Sequence, residues 1–346
     1  MDRRGMTTSQ SDFQLNRPGA LIAALPAVLG FVPEESLVLV TIDRGELGCV
    51  MRVDLSPELY DSVGHLAEVA AAARPDAAIA VVVDADGADC RLCNDDYRGL
   101  RAALIERLAD HAIELLDFHV VDTVGPDGRW HCVDGSWGSV DDPTASPLAM
   151  AAVLDGRRLY TRRDELQKVI AVAEAASSEA LADVIRGQAD TELDAAGEIA
   201  TAMTAAAQAA AGQEVSAVVT ARLARALVDP RVRDVLYALA VGSKASEAEA
   251  LWAYLSRTLP APWRVEALVL LAFSAYARGD GPLAGVSLEA ALRCDARHRM
   301  AGMLDQALQS GMRPEQIREL AATGYRLARQ LGVQLPEKTA FGRRAG

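Results

Sequence analysis

Residues 77–83 read Ala-Ala-Ile-Ala-Val-Val-Val, seven apolar side chains in a row between Arg74-Pro75-Asp76 and Asp84-Ala85-Asp86-Gly87. Successive side chains of a strand point to opposite faces, so a strand without polar alternation must be covered on both. The run therefore predicts a central strand in a sheet with helices packed on it.

The flanking sequence supplies the rest of that sheet. Residues 36–42 form a second apolar run, Asp43-Arg44-Gly45-Glu46 has the composition of a hairpin loop, and residues 48–55 return as the antiparallel partner. Ser56-Pro57-Glu58 carries a helix-start signature, and Leu59, Val63, Leu66, Val69 and Ala70 recur on one face as far as about residue 73. A helix over 96–111, a strand over 115–124, a Gly125-Pro126-Asp127-Gly128 turn and a strand over 129–133 follow. Upstream, residues 21–29 read as a short helix interrupted by Pro26. Strand hairpins mixed with helical crossovers predict a mixed sheet.

Composition changes at 141–147, Asp-Asp-Pro-Thr-Ala-Ser-Pro, and no strand pattern follows. Helical spacing fits 146–155, 162–176, Ala-rich stretches over 178–212, then 214–228, 231–241, 245–259, 263–278, 282–294, 297–310 and 314–331. Asp229-Pro230, Pro260-Ala261-Pro262, Gly279-Asp280-Gly281-Pro282 and Gly311 fall between them. The expected class is α/β plus all-α, in a chain of 346 residues for which two domains are the prior. The expected divisions are a flexible tail over 1–17, a mixed α/β domain over 18–140, a helical repeat-like domain over 145–332 and a flexible tail over 333–346.

A formal net charge of -13 argues against a nucleic-acid partner, because phosphate binding rests on Lys and Arg. No apolar stretch is long enough to span a bilayer, and the polar start of the chain lacks the apolar core of a secretory signal. Five cysteines scattered over the chain do not make a disulfide framework. The expectation is a cytoplasmic protein without a membrane partner.

Residues 20–43, ALIAALPAVLGFVPEESLVLVTID, resemble the opening of a mainly actinobacterial family, domain of unknown function 4192. Gly128-Arg129-Trp130 is a second point of resemblance, continued here by His131-Cys132-Val133-Asp134-Gly135-Ser136-Trp137-Gly138 with one cysteine where the family often has several. The resemblance implies a layout and no chemistry. Further on, Leu268, Leu271, Ala272 and Ala275, then Ala284, Leu288 and Ala291, resemble one tetratricopeptide repeat; the aromatic at Tyr276 lies one place late, and Ala296 stands where Pro is common. Stacked helix pairs leave a concave surface, which Trp252, Tyr254, Trp263 and Tyr276 would line to hold a peptide, unless they are core between helices.

Chemistry-bearing residues concentrate in the first part. Asp84 and Asp86 follow the central strand, where ligands of open α/β sheets bind, with Asp89 nearby and Glu34 and Glu35 ahead of the first strand. Three acids suit a hard divalent cation, whereas DADGAD as a turn made by its aspartates is the reading favoured here. Arg129 would clamp an anion or pair with an aspartate. Cys90 and Cys93 are half of a zinc site, with His131 and Cys132 as the weak candidates for the rest. They also suit a redox pair at a helix start, with Arg91 favouring the thiolate, or ordinary thiols, which is preferred. No Walker loop, dinucleotide fingerprint or nucleophile elbow occurs, so no cofactor is identifiable. The first functional reading is a non-enzymatic binding or scaffold protein docking a protein partner through its helices. The alternative is an enzyme or small-ligand sensor with a pocket at Glu34, Glu35, Asp84, Asp86 and Arg129.

Overall fold

The computed structural model describes residues 17–72, 74–154, 160, 163–172, 175–187, 193–310 and 312–339. The tail expected over 1–17 lies outside them apart from Arg17, as do residues 340–346. The expected helices over 162–176 and 178–212 are described only in part. Contacts divide the chain into two compact units, Met1–Arg163 and Asp164–Gly346.

The first unit runs α1 (Pro18–Leu29), β1 (Ser36–Asp43), β2 (Glu46–Asp54), α2 (Leu59–Ala71), β3 (Ala77–Val83), α3 (Arg91–Ala109), β4 (Glu114–Val121), β5 (Arg129–Cys132), β6 (Trp137–Ser139) and, after a 3-10 turn at Pro143–Ala145, α4 (Pro147–Leu154). The strands make one sheet in the order β2-β1-β3-β4-β5-β6. β3 lies parallel to β4, and every other neighbouring pair is antiparallel. All of β3 is buried, as its unbroken apolar run requires. On one face Leu37, Leu39, Ala80, Val82, Phe118 and Val120 pack with Val63 and Leu66 of α2 and Leu100, Leu104 and Leu108 of α3. Each of the Leu, Val and Phe side chains contributes about 1.5–3 kcal/mol by leaving water.

Local chemistry explains where elements begin and end. Arg44 and Gly45 both adopt positive φ, 52° and 81°, which makes a two-residue hairpin matching the strand twist. Asp43 then pairs with Glu46, so β2 starts two residues earlier than its apolar pattern suggests. Helix α1 continues through Pro26 to Leu29, giving up the one backbone bond that Pro26 cannot donate, and Gly30 N–H closes its end on Pro26 O. The Ser56-Pro57-Glu58 signature is displaced: those residues form a turn, Leu59 N–H bonds Ser56 O, and α2 starts at Leu59. Strand β6, three residues long, has no counterpart in the sequence reading because so short a segment shows no periodicity. The unit boundary falls after the composition change at 141–147, since α4 packs back on α1.

The second unit comprises α5 (Arg163–Lys168), α6 (Ala175–Gly187), α7 (Ala195–Ala210), α8 (Ala217–Val228), α9 (Pro230–Leu236), a 3-10 turn at Tyr237–Val241, α10 (Ala245–Thr258), α11 (Arg264–Arg278), α12 (Gly281–Cys294), α13 (Arg299–Gln309) and α14 (Pro314–Gln330). Helix α11 is its axis: every residue from 267 to 277 is buried, as expected of a helix apolar all round. It packs on α8, α10, α12, α13, α14 and the 3-10 turn. α11 and α12 do form an antiparallel-type hairpin around Gly279, but α14 returns to α9, the 3-10 turn and α11. A linear repeat touches only its sequence neighbours, so this closed bundle departs from a simple stack. Residues 333–339, expected as part of a loose tail, are held: Glu337 O accepts from Ser243 N at 2.7 Å, Thr339 N donates to Val241 O at 2.9 Å, and Tyr325 OH donates to Pro336 O at 2.9 Å.

Candidate functional site

One edge of the sheet gathers the carboxyl ends of β3 and β4, the entry to β1 and the start of β5. Glu34, Glu35, Asp84, Asp86 and Arg129 all lie along this edge. They do not converge. β1 and β5 are three strand spacings apart, roughly 14 Å, and the five separate into two groups.

The first group is structural. Asp84 Oδ1 accepts from Asp86 N at 3.1 Å and Gly87 N at 2.7 Å, and Asp84 Oδ2 accepts from Tyr97 OH at 2.5 Å. The carboxylate thus makes the aspartate turn that was the preferred reading of DADGAD. Burial, then the bond to Asp84, pushes the Tyr97 phenol up, so it remains a donor. A side chain at Gly87 would run into Tyr97 and Asp84, which leaves glycine as the residue that fits. Glu35, at φ 41°, accepts from Ala85 N, while Asp86 and Glu34 are exposed.

The second group is a cavity of about 340 Å³ lined by residues 88–90, Asn94, Asp122, 129–131, Trp137 and Gly138. Its wall is the loop after β3 and the first turn of α3. Its floor is set by register: Val120 pairs with His131, and His131 with Trp137, so Arg129, His131 and Trp137 share the face toward α3. Trp137 is 80% exposed, although a ring of that size ordinarily seeks cover. Asp122 accepts from the Arg129 backbone N–H at 2.8 Å, which orders the strand entry. The Arg129 guanidinium has no ion-pair or hydrogen-bond partner among the described residues, so it does not close the salt bridge that was its alternative role. Asn94 Oδ1 is buried at the wall without a hydrogen-bond partner among those residues. Burial lowers the His131 pKa, an effect that Asp89 partly opposes. Of the residues singled out from sequence for possible chemistry, Asp89, Cys90, Arg129 and His131 line this cavity; Asn94, Asp122 and Trp137 were missed. Only the pairing register of β5 with β6 could have revealed Trp137.

The set Cys90, Cys93, His131 and Cys132 does not form one metal site. His131 and Cys132 are consecutive in β5 and point to opposite faces, Cys132 opposite His119. A hydrogen bond with Cys90, then burial and the charges of Asp84 and Asp96, raise the Cys93 pKa. That shift disfavours the thiolate at Cys93 itself; the Arg91 side chain lies outside the described residues. None of the five cysteines is in a disulfide.

The groove aromatics fare unequally. Trp252 is 0% exposed and Tyr276 is 3% exposed with its hydroxyl donating to Met312 O, so both are interior packing and cannot line a surface. Tyr254 is half-buried with its hydroxyl donating to Val215 O, and Trp263 is half-buried. Among the described residues no helix is long and apolar enough to cross a membrane.

A family model described as a domain of unknown function (DUF4192) matches residues 18–315. No curated protein and no solved structure matches the chain.

Proposed function

We propose, for a chain that belongs to the DUF4192 family and takes no activity from it, that the first unit binds a compact, planar, polar small molecule in the cavity beside α3. The carrying observation is the Arg129 guanidinium, unpaired among the described residues, on the same floor as the exposed Trp137 indole. Arginine reads a carboxylate or phosphate with two parallel bonds. An exposed indole offers a face for ring stacking. Asn94 Oδ1, Asp89 and Asp122 add acceptors, so the fitting ligand carries one acidic group and N–H donors on a flat ring. The volume suits such a molecule, being at the small end of ligand cavities, about 300–1,000 Å³. The position agrees with the tendency of open α/β sheets to bind at the carboxyl ends of their strands.

Calorimetric titration of the full chain with amino-substituted heteroaromatic carboxylates tests this reading. Binding is expected to weaken about 10- to 100-fold in Arg129→Met, the value of a charged hydrogen bond. Trp137→Ala should lose up to about tenfold. Ligands that bind both variants as tightly as the unaltered chain would overturn it.

A further inference from the structure

The opposite face of the β4–β5 pair carries a different constellation. Asp117 and His119 alternate along β4 and so share a face, and register sets Cys132 directly across from His119. One ligand atom from each of Asp117, His119 and Cys132 lies within 4.8 Å of the others. His119 Nδ1 and Cys132 Sγ are 3.1 Å apart. His119 is 1% exposed and its ring is held edge-on by Trp130, with centroids 5.3 Å apart. The Asp117 carboxylate faces solvent, and Asp134, exposed on the adjoining turn, lies close enough for its charge to act on both His119 and Cys132.

We infer that Asp117, His119 and Cys132 form a binding site for a zinc-type divalent cation with its fourth position open. The donor set decides the class of metal: imidazole and thiolate select zinc and its neighbours over magnesium or calcium, which take oxygen. Geometry is close to what the ion needs. Tetrahedral zinc with ordinary bond lengths separates a nitrogen and a sulfur ligand by about 3.6 Å, so the pair need open only slightly. Three protein ligands and one free position is the pattern of zinc sites that hold a water or a substrate. Binding converts the Cys132 thiol to thiolate, one proton passing to solvent for each ion bound. The competing account is a plain S–H···N hydrogen bond between Cys132 and His119.

Cobalt(II) titration of the full chain under non-chelating reductant separates the two. The expected result is one equivalent bound, with a thiolate-to-cobalt charge-transfer band and tetrahedral d–d bands, both displaced by zinc. Cys132→Ser should abolish the charge-transfer band, and the Cys90→Ser, Cys93→Ser double variant should keep it. Because Asp117 is exposed, Asp117→Asn folds, and cobalt affinity should fall by about tenfold or more, at least the loss seen on removing an outer-sphere partner. Absence of a charge-transfer band in the unaltered chain would overturn the site, as would its survival in Cys132→Ser, its loss in the Cys90, Cys93 variant or unchanged affinity in Asp117→Asn.

Discussion

Two tryptophan and arginine sets, one in each unit, are handled in opposite ways. In the helical unit, Trp252 is sealed inside, and Arg278 is clamped by Glu249 at 2.8 and 2.9 Å and by Asp280 at 3.0 Å. In the sheet unit, Trp137 is exposed and the Arg129 guanidinium is unpaired beside it among the described residues. Rings buried against neighbours and arginines locked to carboxylates serve stability; the same groups left open around a cavity are available to a ligand. On the proposed reading one set serves stability and the other recognition, although both are built from the same residue types.

Substitutions can break that contrast. The largest effect is expected at Trp252→Ala, about 3–5 kcal/mol lost from the helical unit, read as a lower urea midpoint for its transition. Arg278→Ala should cost nearly as much, about 3–5 kcal/mol by chemical denaturation, because it strands the carboxylate of Asp280 where water cannot reach it. Gly324→Ala puts a methyl group against Ala238 and the carbonyls of Asp234 and Val235, an overpacking expected to cost about 1–3 kcal/mol in the same assay.

Asp229 gives a smaller, pH-dependent effect. It caps α9, accepting from Arg231 N at 2.8 Å. The hydrogen bonds from the Arg231 side chain hold its carboxyl below the ordinary 3.8. With a folded pKa below the unfolded one, its contribution is complete above about 3.8 and is lost as the pH falls through the lower folded value. Asp229→Ala should therefore cost about 1 kcal/mol at neutral pH. Asp229→Asn, which keeps a capping oxygen, should flatten the acid limb of a stability-pH curve. The smallest effect belongs to Trp137→Ala, within about 0.5 kcal/mol by denaturation because the ring supports nothing. A large loss there would place Trp137 with Trp252 and erase the distinction.

Much of the scaffold was legible because it rests on strong local signals. The unbroken run at 77–83 demanded two covered faces and is central in the sheet. Asp229-Pro230 and Gly279-Asp280 were readable as breaks, and the structure makes Asp229 and Asp280 helix caps. The cavity was only partly legible. Arg129 stood out by type, yet Trp137 becomes a floor residue only through the pairing of two short strands. Asp117, His119 and Cys132 meet through alternation on β4 and its register with β5, and one residue of slip would turn Cys132 to the other face. The aromatic pattern at Trp252 and Tyr276 had the spacing of either a groove or a core; packing around α11 decided it.

The most direct test labels the four tryptophans with 5-fluorotryptophan and follows the fluorine spectrum of the full chain as a heteroaromatic carboxylate is added, Trp137→Phe identifying that resonance. The account predicts that the Trp137 signal shifts in a saturable way while Trp252 stays fixed. A saturable shift confined to the tryptophans of the helical unit, with Trp137 unmoved, would contradict it.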